Sequence, residues 1–360
     1  MSENRTVGPI AARKAIIKAF KIKQPVFVWG KPGIGKSETI AQIGKDTNSL
    51  VIDVRLSLWD PTDIKGVPYY AEKEGTMKWA PPSELPSMEY AKGFERIILF
   101  LDELNSAAPS VQQAAYQLVL DRKVGTYVLP DNVVIVAAGN RESDKGVTYR
   151  MPAPLSNRFV HIEMAASFDD WFIWAANNNI HKNIMGFLNW SKSDLSNFDP
   201  KSNFRAFATP RSWSFVNNLI QDDDMDAETA TTLIAGAVGE GVAIKFAAYQ
   251  RLAEKLPNPS DILSGHVKKL KDKEISAMYS LTIGLCYELK SSYENKNPTY
   301  ETQVNNFFEF MMNNFETELV IVGVKLVLNT YELPIKTDMI ECWSEFGKKY
   351  TKYITRALAN

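Results

Sequence analysis

The feature that most restricts the fold of this chain is the spacing of glycine, lysine and serine in GKPGIGKS, residues 30–37. It follows the pattern G-x-x-x-x-G-K-[ST]. The preceding run PVFVW (25–29) is apolar and rich in β-formers, and the following run KSETIAQIGKD (36–46) carries isoleucines at helical spacing. The pattern and its flanks therefore predict a strand, a glycine-rich loop and a helix, in that order.

Such a loop is suited to hold the phosphates of ATP. Its glycines let backbone N–H groups curve around the phosphates, and the helix that follows contributes the positive end of its dipole. Lys36 is then expected to contact the β- and γ-phosphates, and the Ser37 hydroxyl to bind Mg²⁺. A glycine-rich turn without a ligand is the alternative. The residues predicted to bind the nucleotide are Gly30, Lys31, Pro32, Gly33, Ile34, Gly35, Lys36, Ser37 and Glu38.

A second group of candidate residues lies at the end of RIILFLDE, residues 96–103. This apolar run is typical of a buried parallel strand, which delivers its last residues to the ligand-binding edge of the sheet. Asp102 is the candidate Mg²⁺ ligand, and Glu103 is the candidate for polarising an attacking water. A strand that ends in a plain acidic turn is the alternative, and the neighbouring phosphate loop argues against it.

Three more short apolar runs complete the predicted sheet: LVIDVRL (50–56), NVVIVAAGN (132–140) and FVHIEM (159–164). Helical patterns such as PSVQQAAYQLVL separate the strands, and this alternation predicts an α/β fold with a parallel, doubly wound sheet. Asn140 ends its run, so its amide is a candidate to bind the γ-phosphate or the attacking water. A turn-forming amide is the alternative for Asn140.

The order and spacing of six motifs resemble the AAA+ ATPases, specifically their MoxR-like branch with its dynein-related relatives. The resemblance extends over about residues 7–262 and is far more specific than one phosphate loop. The motifs are WGKPGIGKSE (29–38), DPTDIKG (60–66), LFLDELNSAAPSVQQA (99–114), VVIVAAGN (133–140), PLSNRF (154–159) and ATPRSW (208–213).

The resemblance assigns three residues to ATP hydrolysis. Asn140 matches sensor 1, Arg158 matches the arginine finger that is donated to the neighbouring subunit, and Arg211 matches sensor 2 in the helical lid. Such groups stabilise the charge that develops during phosphoryl transfer. Either arginine is otherwise a surface ion-pair residue. The family often has Asp where Asn157 stands here, and Thr-Gln before sensor 1 where this chain has Ala-Gly; both departures blur the subfamily but remove no catalytic group.

The resemblance, which ends near residue 262, and the helical spacing of apolar residues beyond residue 167 together predict three domains. Residues 1–166 form the AAA+ nucleotide-binding domain, with β-hairpin inserts near 65–86 and 121–132. An all-α lid is predicted for residues 167–262, and a further helical domain of unknown role for residues 263–360.

Aromatic residues of the first hairpin are candidates for gripping a partner. In the rings of this branch the hairpins face the pore or a partner protein, which makes Tyr69, Tyr70 and Trp79 candidate contact residues, all expected to be exposed. The alternative is that these side chains cover the edge of the sheet.

The C-terminal region is less informative. Two prolines in LPNPSD (256–261) predict a linker before it. Its end, FGKKYTKYITRAL, interleaves lysines and tyrosines, which suits contact with single-stranded nucleic acid, but an exposed amphipathic helix is the simpler interpretation.

Composition neither names nor excludes a partner, and a local basic face stays open. The net charge of −1 gives no general attraction to nucleic acid, and no apolar run is long enough for a membrane span. No export signal is recognised, so a cytoplasmic protein is expected. The two cysteines, Cys286 and Cys342, lack histidines at metal-binding spacing, so neither a zinc site nor a disulfide framework is predicted.

Together these features predict an ATP- and Mg²⁺-dependent AAA+ ATPase that forms a ring, with a hexamer expected, and remodels a protein partner. In the resembled branch that partner often carries a von Willebrand A domain. A nucleic-acid motor or loader is the alternative, which the near-neutral charge disfavours. A scaffold that binds ATP without turning it over is the third hypothesis, against which Glu103, Asn140 and Arg158 argue.

Overall fold

The computed structural model describes residues 5–144, 148–221, 225–270 and 274–358. These residues fall into two compact units. The first takes in the chain up to Ser167 together with Phe198–Asn203, and the second takes in Phe168–Asn197 and the chain from Phe204 onward.

The first unit is an α/β structure. Its strands are β1 (Thr6–Val7), β2 (Val26–Trp29), β3 (Leu50–Arg55), β4 (Val67–Ala71), β5 (Thr76–Ala80), β6 (Ile97–Asp102), β7 (Lys123–Val124), β8 (Tyr127–Val128), β9 (Val133–Gly139) and β10 (Val160–Met164). Its helices are α1 (Pro9–Phe20), α2 (Lys36–Asp46), α3 (Pro61–Lys65), α4 (Met88–Ala91), α5 (Pro109–Asp121) and α6 (Ala153–Ser156).

Six of these strands form one parallel sheet in the order β1-β10-β2-β9-β6-β3. The inner strands β6 and β9 are buried along their whole length. Continuous apolar runs of this kind are expected when both faces of a parallel sheet are covered. The structure therefore confirms the predicted doubly wound sheet, and it aligns the carboxyl ends of β2, β9 and β6 at one edge.

Apolar layers cover both faces of the sheet. Side chains of α1 and α2 pack on one face with Ile98 and Phe100 of β6, and side chains of α5 and α6 pack on the other face with Leu99 and Leu101. Alternate residues of a strand point to opposite faces, so one strand contributes to both layers. Burial of each such side chain stabilises the fold by roughly 1.5–3 kcal/mol.

Two antiparallel hairpins lie outside this sheet, within residues 65–86 and 121–132. Strand β4 pairs with β5, and the two-residue strands β7 and β8 pair with each other. The hairpins contact each other, because the Thr126 hydroxyl donates to the Trp79 carbonyl oxygen at 3.0 Å.

The second unit is helical. Its helices are α7 (Phe168–Asn177), α8 (Lys182–Trp190), α9 (Pro210–Leu219), α10 (Ala227–Val238), α11 (Glu240–Ala253), α12 (Pro259–Leu263), α13 (Ile275–Glu294), α14 (Tyr300–Asn314), α15 (Thr317–Lys325) and α16 (Trp343–Leu358), with a π-helical turn at Leu326–Thr330. Across the described ranges, no helix combines the length and the apolar character needed to span a membrane.

Helices on both sides of residue 262 share one hydrophobic core. Trp213 and Phe246 from the predicted lid are buried in the same cluster as Phe307 and Phe308 of α14. The predicted linker contains the start of α12, whose Ile262 is also buried there. Separate roles for residues 167–262 and 263–360 remain a prediction.

Two helical glycines of the second unit allow its packing to be tested. A Cβ at Gly186 in α8 would lie 2.2 Å from Tyr249 Oη and 2.9 Å from Ser280 Cα, whereas a Cβ at Gly236 in α10 would meet nothing within 4 Å. We expect Gly186→Ala to lower the free energy of unfolding by about 1–3 kcal/mol, because it overfills the core. Gly236→Ala should raise it by about 0.5–1 kcal/mol through helix propensity. Chemical denaturation measures both, and equal effects of the two variants would contradict the packing described.

Candidate nucleotide site

The loop between β2 and α2 owes its path to glycine. Gly33 and Gly35 have φ angles of 74° and 92°, in the left-handed region that favours glycine. At Gly30 a Cβ would lie 2.5 Å from Ile34 Cδ1 and 2.7 Å from the Met164 carbonyl oxygen, so the backbone passes too close to β10 for any side chain. Ile34 is buried in the apolar layer under α1 and α2, which anchors the loop to the domain.

The Lys36 ammonium group joins this loop to the end of β9. Its Nζ donates to the carbonyl oxygens of Gly30 at 2.7 Å and Lys31 at 3.1 Å, and to Asn140 Oδ1 at 2.8 Å. The structure therefore brings together two residues that the sequence nominated separately, because β2 and β9 are neighbours in the sheet.

Ser37 and Asp102 form the second contact between the loop and a strand end. Ser37 Oγ donates to Asp102 Oδ2 at 3.0 Å, and Asp102 is only 6% exposed. Hydroxyl and carboxylate oxygens are hard ligands of the kind Mg²⁺ prefers, so this pair fits that ion. Among the described residues there is no group of three or more acidic, histidine or cysteine ligands.

Glu103 lies outside β6, contrary to the simple expectation of a strand ending in two adjacent carboxylates. Its backbone is left-handed, with φ 55° and ψ 33°, and its N–H donates to Asp102 Oδ1 at 2.9 Å. The Ser57 hydroxyl donates to the Glu103 carboxylate. Such a conformation costs a non-glycine residue roughly 1–3 kcal/mol, and strain of this size clusters at functional sites.

Asn105, which the sequence did not single out, fastens Asn140 to the loop that follows β6. Its Nδ2 donates to the Asn140 carbonyl oxygen at 2.7 Å, and its Oδ1 is buried with no hydrogen-bond partner among the described residues. A Cβ on Gly139 would lie 2.0 Å from that Oδ1. Gly139 belongs to the Ala-Gly pair that replaces the Thr-Gln pair of the resembled family. Because it has no side chain, it leaves space for Asn105. A polar residue shortly after Glu103 was the available signal.

Strand β3 adds charge to the same edge. Arg55 is the register partner of Asp102, and Asp53 precedes it on the same face of the strand. Burial raises the pKa of the Asp53 carboxyl, the negative charge of Asp102 raises it further, and the Arg55 guanidinium opposes the shift. A cation bound at Asp102 would offset this accumulation of carboxylates.

The remaining predicted loop residues have individual surroundings. Lys31 Nζ donates to the Phe198 carbonyl oxygen at 3.1 Å and lies 5.9 Å from the centre of the Phe198 ring. Pro32 is half-buried, and Glu38 is exposed in the first turn of α2. A carboxylate at that position interacts favourably with the helix dipole.

The two predicted arginines are both exposed. Arg158 lies on the turn between α6 and β10, and within the described residues it forms no ion pair. Arg211 lies in the first turn of α9, in the second unit, where Thr209 and Ser212 form a capping box. The roles assigned to Arg158 and Arg211 remain predictions.

The aromatic residues of the first hairpin differ in exposure. Tyr69 and Tyr70 on β4 are 47% and 59% exposed. Trp79 is half-buried and lies close to Gly125 of the second hairpin. The expectation that all three are exposed is therefore wrong for Trp79, because the second hairpin covers part of its side chain.

A family match covers the part of the chain that contains this site. Residues 25–159 match the family model of the AAA domain of the dynein-related subfamily. Midasin of Giardia intestinalis is 25% identical over 209 residues, which cover 54% of this chain and 4% of that protein. The RuvB Holliday junction branch migration motor of Thermotoga maritima is 16% identical, with a TM-score of 0.38 over 84% of this chain and 86% of its own.

NtrX from Brucella abortus in complex with ADP is 13% identical, with a TM-score of 0.38 over 97% of this chain and 69% of its own. The family match extends from β2 to the turn after α6 and includes the phosphate loop, both strand ends and Arg158. Over residues 25–159 this chain is therefore similar to the AAA domains of the dynein-related subfamily.

Proposed function

We propose that this chain binds Mg²⁺–ATP at the loop between β2 and α2, hydrolyses it within a ring, and uses the energy to remodel a protein partner. The observation that carries the proposal is the meeting of Lys36 with Asn140, and of Ser37 with Asp102, at one edge of the sheet. A glycine-rich turn without a ligand gives no reason for these contacts.

Each residue of the site has a distinct task in this proposal. Lys36 holds the β- and γ-phosphates, and Ser37 and Asp102 hold the metal ion. Bound Mg²⁺ supplies positive charge that stabilises the phosphate oxygens. Glu103 polarises the attacking water, with the Ser57 hydroxyl orienting its carboxylate.

The proposal places Arg158 in the site of an adjacent subunit. Its exposed side chain has no ion pair within the described residues, so the surface ion-pair alternative finds no support. A guanidinium is always charged and suits phosphate geometry. Arg211 is proposed to contact the γ-phosphate from its own chain. A ring of six subunits, a cytoplasmic location and a MoxR-like affiliation are parts of the same proposal.

The first hairpin favours a protein partner over nucleic acid. Val67, Tyr69, Tyr70 and Met77 are all exposed, by 47–62%. The charges of the hairpin balance, since the segment 67–80 contains two lysines and two glutamates. An apolar, near-neutral surface matches the core of a protein–protein contact, whereas nucleic acid requires a basic surface. A von Willebrand A domain is the partner class that the resemblance suggests.

Replacement of the catalytic carboxylate tests the hydrolytic site. We expect Glu103→Gln to bind ATP with unchanged affinity and to lower kcat about 10²-fold or more, because the amide keeps the shape but does not polarise water. Calorimetric titration and phosphate release measure the two quantities. Glu95→Gln, at the opposite end of β6, is the matched control and should keep full activity. Wild-type turnover of Glu103→Gln would transfer the role to another residue.

Subunit mixing tests the ring and the placement of Arg158. Arg158→Ala should bind ATP normally but hydrolyse it about 10³-fold more slowly, and Lys36→Ala should fail to bind it. In mixed assemblies, intact pockets of the first variant meet intact arginines of the second. Activity of the mixture should therefore exceed the sum of the separate variants, and it should depend on protein concentration. Strictly additive activity in subunits shown to co-assemble would show that Arg158 acts within its own chain or only structurally.

The hairpin is tested by removing its two exposed tyrosines. Tyr69→Ala combined with Tyr70→Ala should keep basal ATPase activity and lose capture of the partner, because both residues lie on the β4–β5 hairpin and not in the sheet that carries the nucleotide site. Affinity purification in a Glu103→Gln background, followed by mass spectrometry, identifies that partner. Tyr90→Ala, on α4 and 53% exposed, is the control. A large fall in melting temperature would support the view that the tyrosines cover the sheet, and stimulation of the ATPase by DNA or RNA alone would support the motor alternative.

A further inference from the structure

The turn that carries Arg158 is held on one side by residues that precede β2 and on the other by His161 of β10. Gln24 Nε2 donates to the Arg158 carbonyl oxygen at 3.0 Å, and the Val160 N–H donates to the Pro25 carbonyl oxygen at 2.9 Å. On the other side, His161 Nε2 lies 2.8 Å from the Ser156 carbonyl oxygen. The backbone at and after the arginine is therefore held by residues distant in sequence, and the backbone before it is held by His161 of β10.

Trp29 determines which nitrogen of His161 carries the proton. Its indole Nε1–H donates to His161 Nδ1 at 2.8 Å, and an indole nitrogen is only a donor. Nδ1 must therefore accept, which leaves the proton of the neutral ring on Nε2, where it is donated to the Ser156 carbonyl oxygen. The two rings also stack, with centroids 6.0 Å apart and planes 25° apart.

These contacts add little to the stability of the fold, and their main effect is to fix the backbone of the turn. His161 is exposed and Gln24 is half-buried, so neither contributes a large apolar area to a core. The hydrophobic residues on either side, Leu155 and Phe159, already anchor the turn to the domain. The polar contacts fix the position of the backbone between Leu155 and Phe159. The side chain of Arg158 extends from this segment.

We propose that Gln24 and His161 are positioning residues for Arg158, which set how far its guanidinium reaches into the site of the neighbouring subunit. The inference rests on the proposed trans-acting role of Arg158. A displacement of about 1 Å in a catalytic group is enough to lower a rate about 10²-fold, so small shifts of this turn matter. Trp29 directly precedes Gly30, so the same contacts connect the phosphate loop of one subunit to the arginine that serves the next.

Two substitutions of His161 separate its two hydrogen bonds. His161→Asn keeps an acceptor near the Nδ1 position for Trp29 but does not reach Ser156, whereas His161→Gln places an amide donor near the Nε2 position. We expect His161→Asn to lower kcat about 10-fold with an unchanged KM for ATP, and His161→Gln to retain most of the activity. Equal losses in both variants would overturn the role assigned to the bond with Ser156.

Gln24→Ala provides an independent variant, because Gln24 lies outside the aromatic stack and at the end of β2 away from the phosphate loop. It should also lower kcat about 10-fold without changing KM. Gln42→Ala is the matched control: Gln42 donates to Asp46 on the surface of α2 and should leave activity unchanged. Wild-type turnover of both Gln24→Ala and His161→Asn would refute the positioning role.

Mixing with Lys36→Ala subunits distinguishes positioning from general destabilisation. A misplaced arginine harms only the neighbouring pocket, so activity of His161→Asn or Gln24→Ala should be restored above the additive value by subunits with an intact turn. If mixing restores the activity of Arg158→Ala but not that of His161→Asn and Gln24→Ala, the positioning role is overturned. The trans-acting role of Arg158 then stands. Failure to repair Arg158→Ala overturns the trans-acting role of that arginine, and the present inference with it.

Discussion

The sheet edge that carries the candidate nucleotide site depends on the hydrogen bonds of the Lys36 ammonium group. That group gathers the carbonyl oxygens of Gly30 and Lys31 and the side chain of Asn140 around one positive charge. These groups converge only because β2 and β9 are parallel neighbours and the loop between β2 and α2 can turn back on itself. Charge-assisted hydrogen bonds are about twice as strong as neutral ones, so this small cluster keeps loop and strand in register.

Local spacing was enough to predict the frame of the site. Positive φ angles at Gly33 and Gly35 are a property of glycine itself, and a fully apolar run such as the one before Asp102 has few structures open to it besides a buried strand. Parallel strands deliver their last residues to a common edge, so Asp102 and Asn140 followed once the sheet was assumed. The loop, Asp102 and Asn140 could therefore be predicted from residue types and their local spacing alone.

The supporting contacts were not predictable in the same way. Ser57 is separated in sequence from Glu103, Asn105 from Asn140, and Trp29 from His161, so no periodicity relates the members of these pairs. Their contacts depend on which strands become neighbours and on the conformation of individual residues, such as the left-handed backbone of Glu103. The partial burial of Trp79 has the same origin, because it results from contact with a second hairpin.

Strand β2 lies between the phosphate loop and the residues that hold the turn of Arg158. At its carboxyl end it carries the phosphate loop. Its flanking residue Gln24 donates to the Arg158 carbonyl oxygen, and its last residue Trp29 donates to His161 of β10, which in turn contacts the Ser156 carbonyl oxygen before Arg158. Its pairing with β10 runs in register from Val26 opposite Val160 to Trp29 opposite Glu163. Packed strands do not deform continuously, so a shift of β2 relative to β10 would move the loop and the arginine turn together. In the proposed ring, where Arg158 would serve the next subunit, that shared strand would connect the occupancy of one pocket to the position of the arginine that serves another.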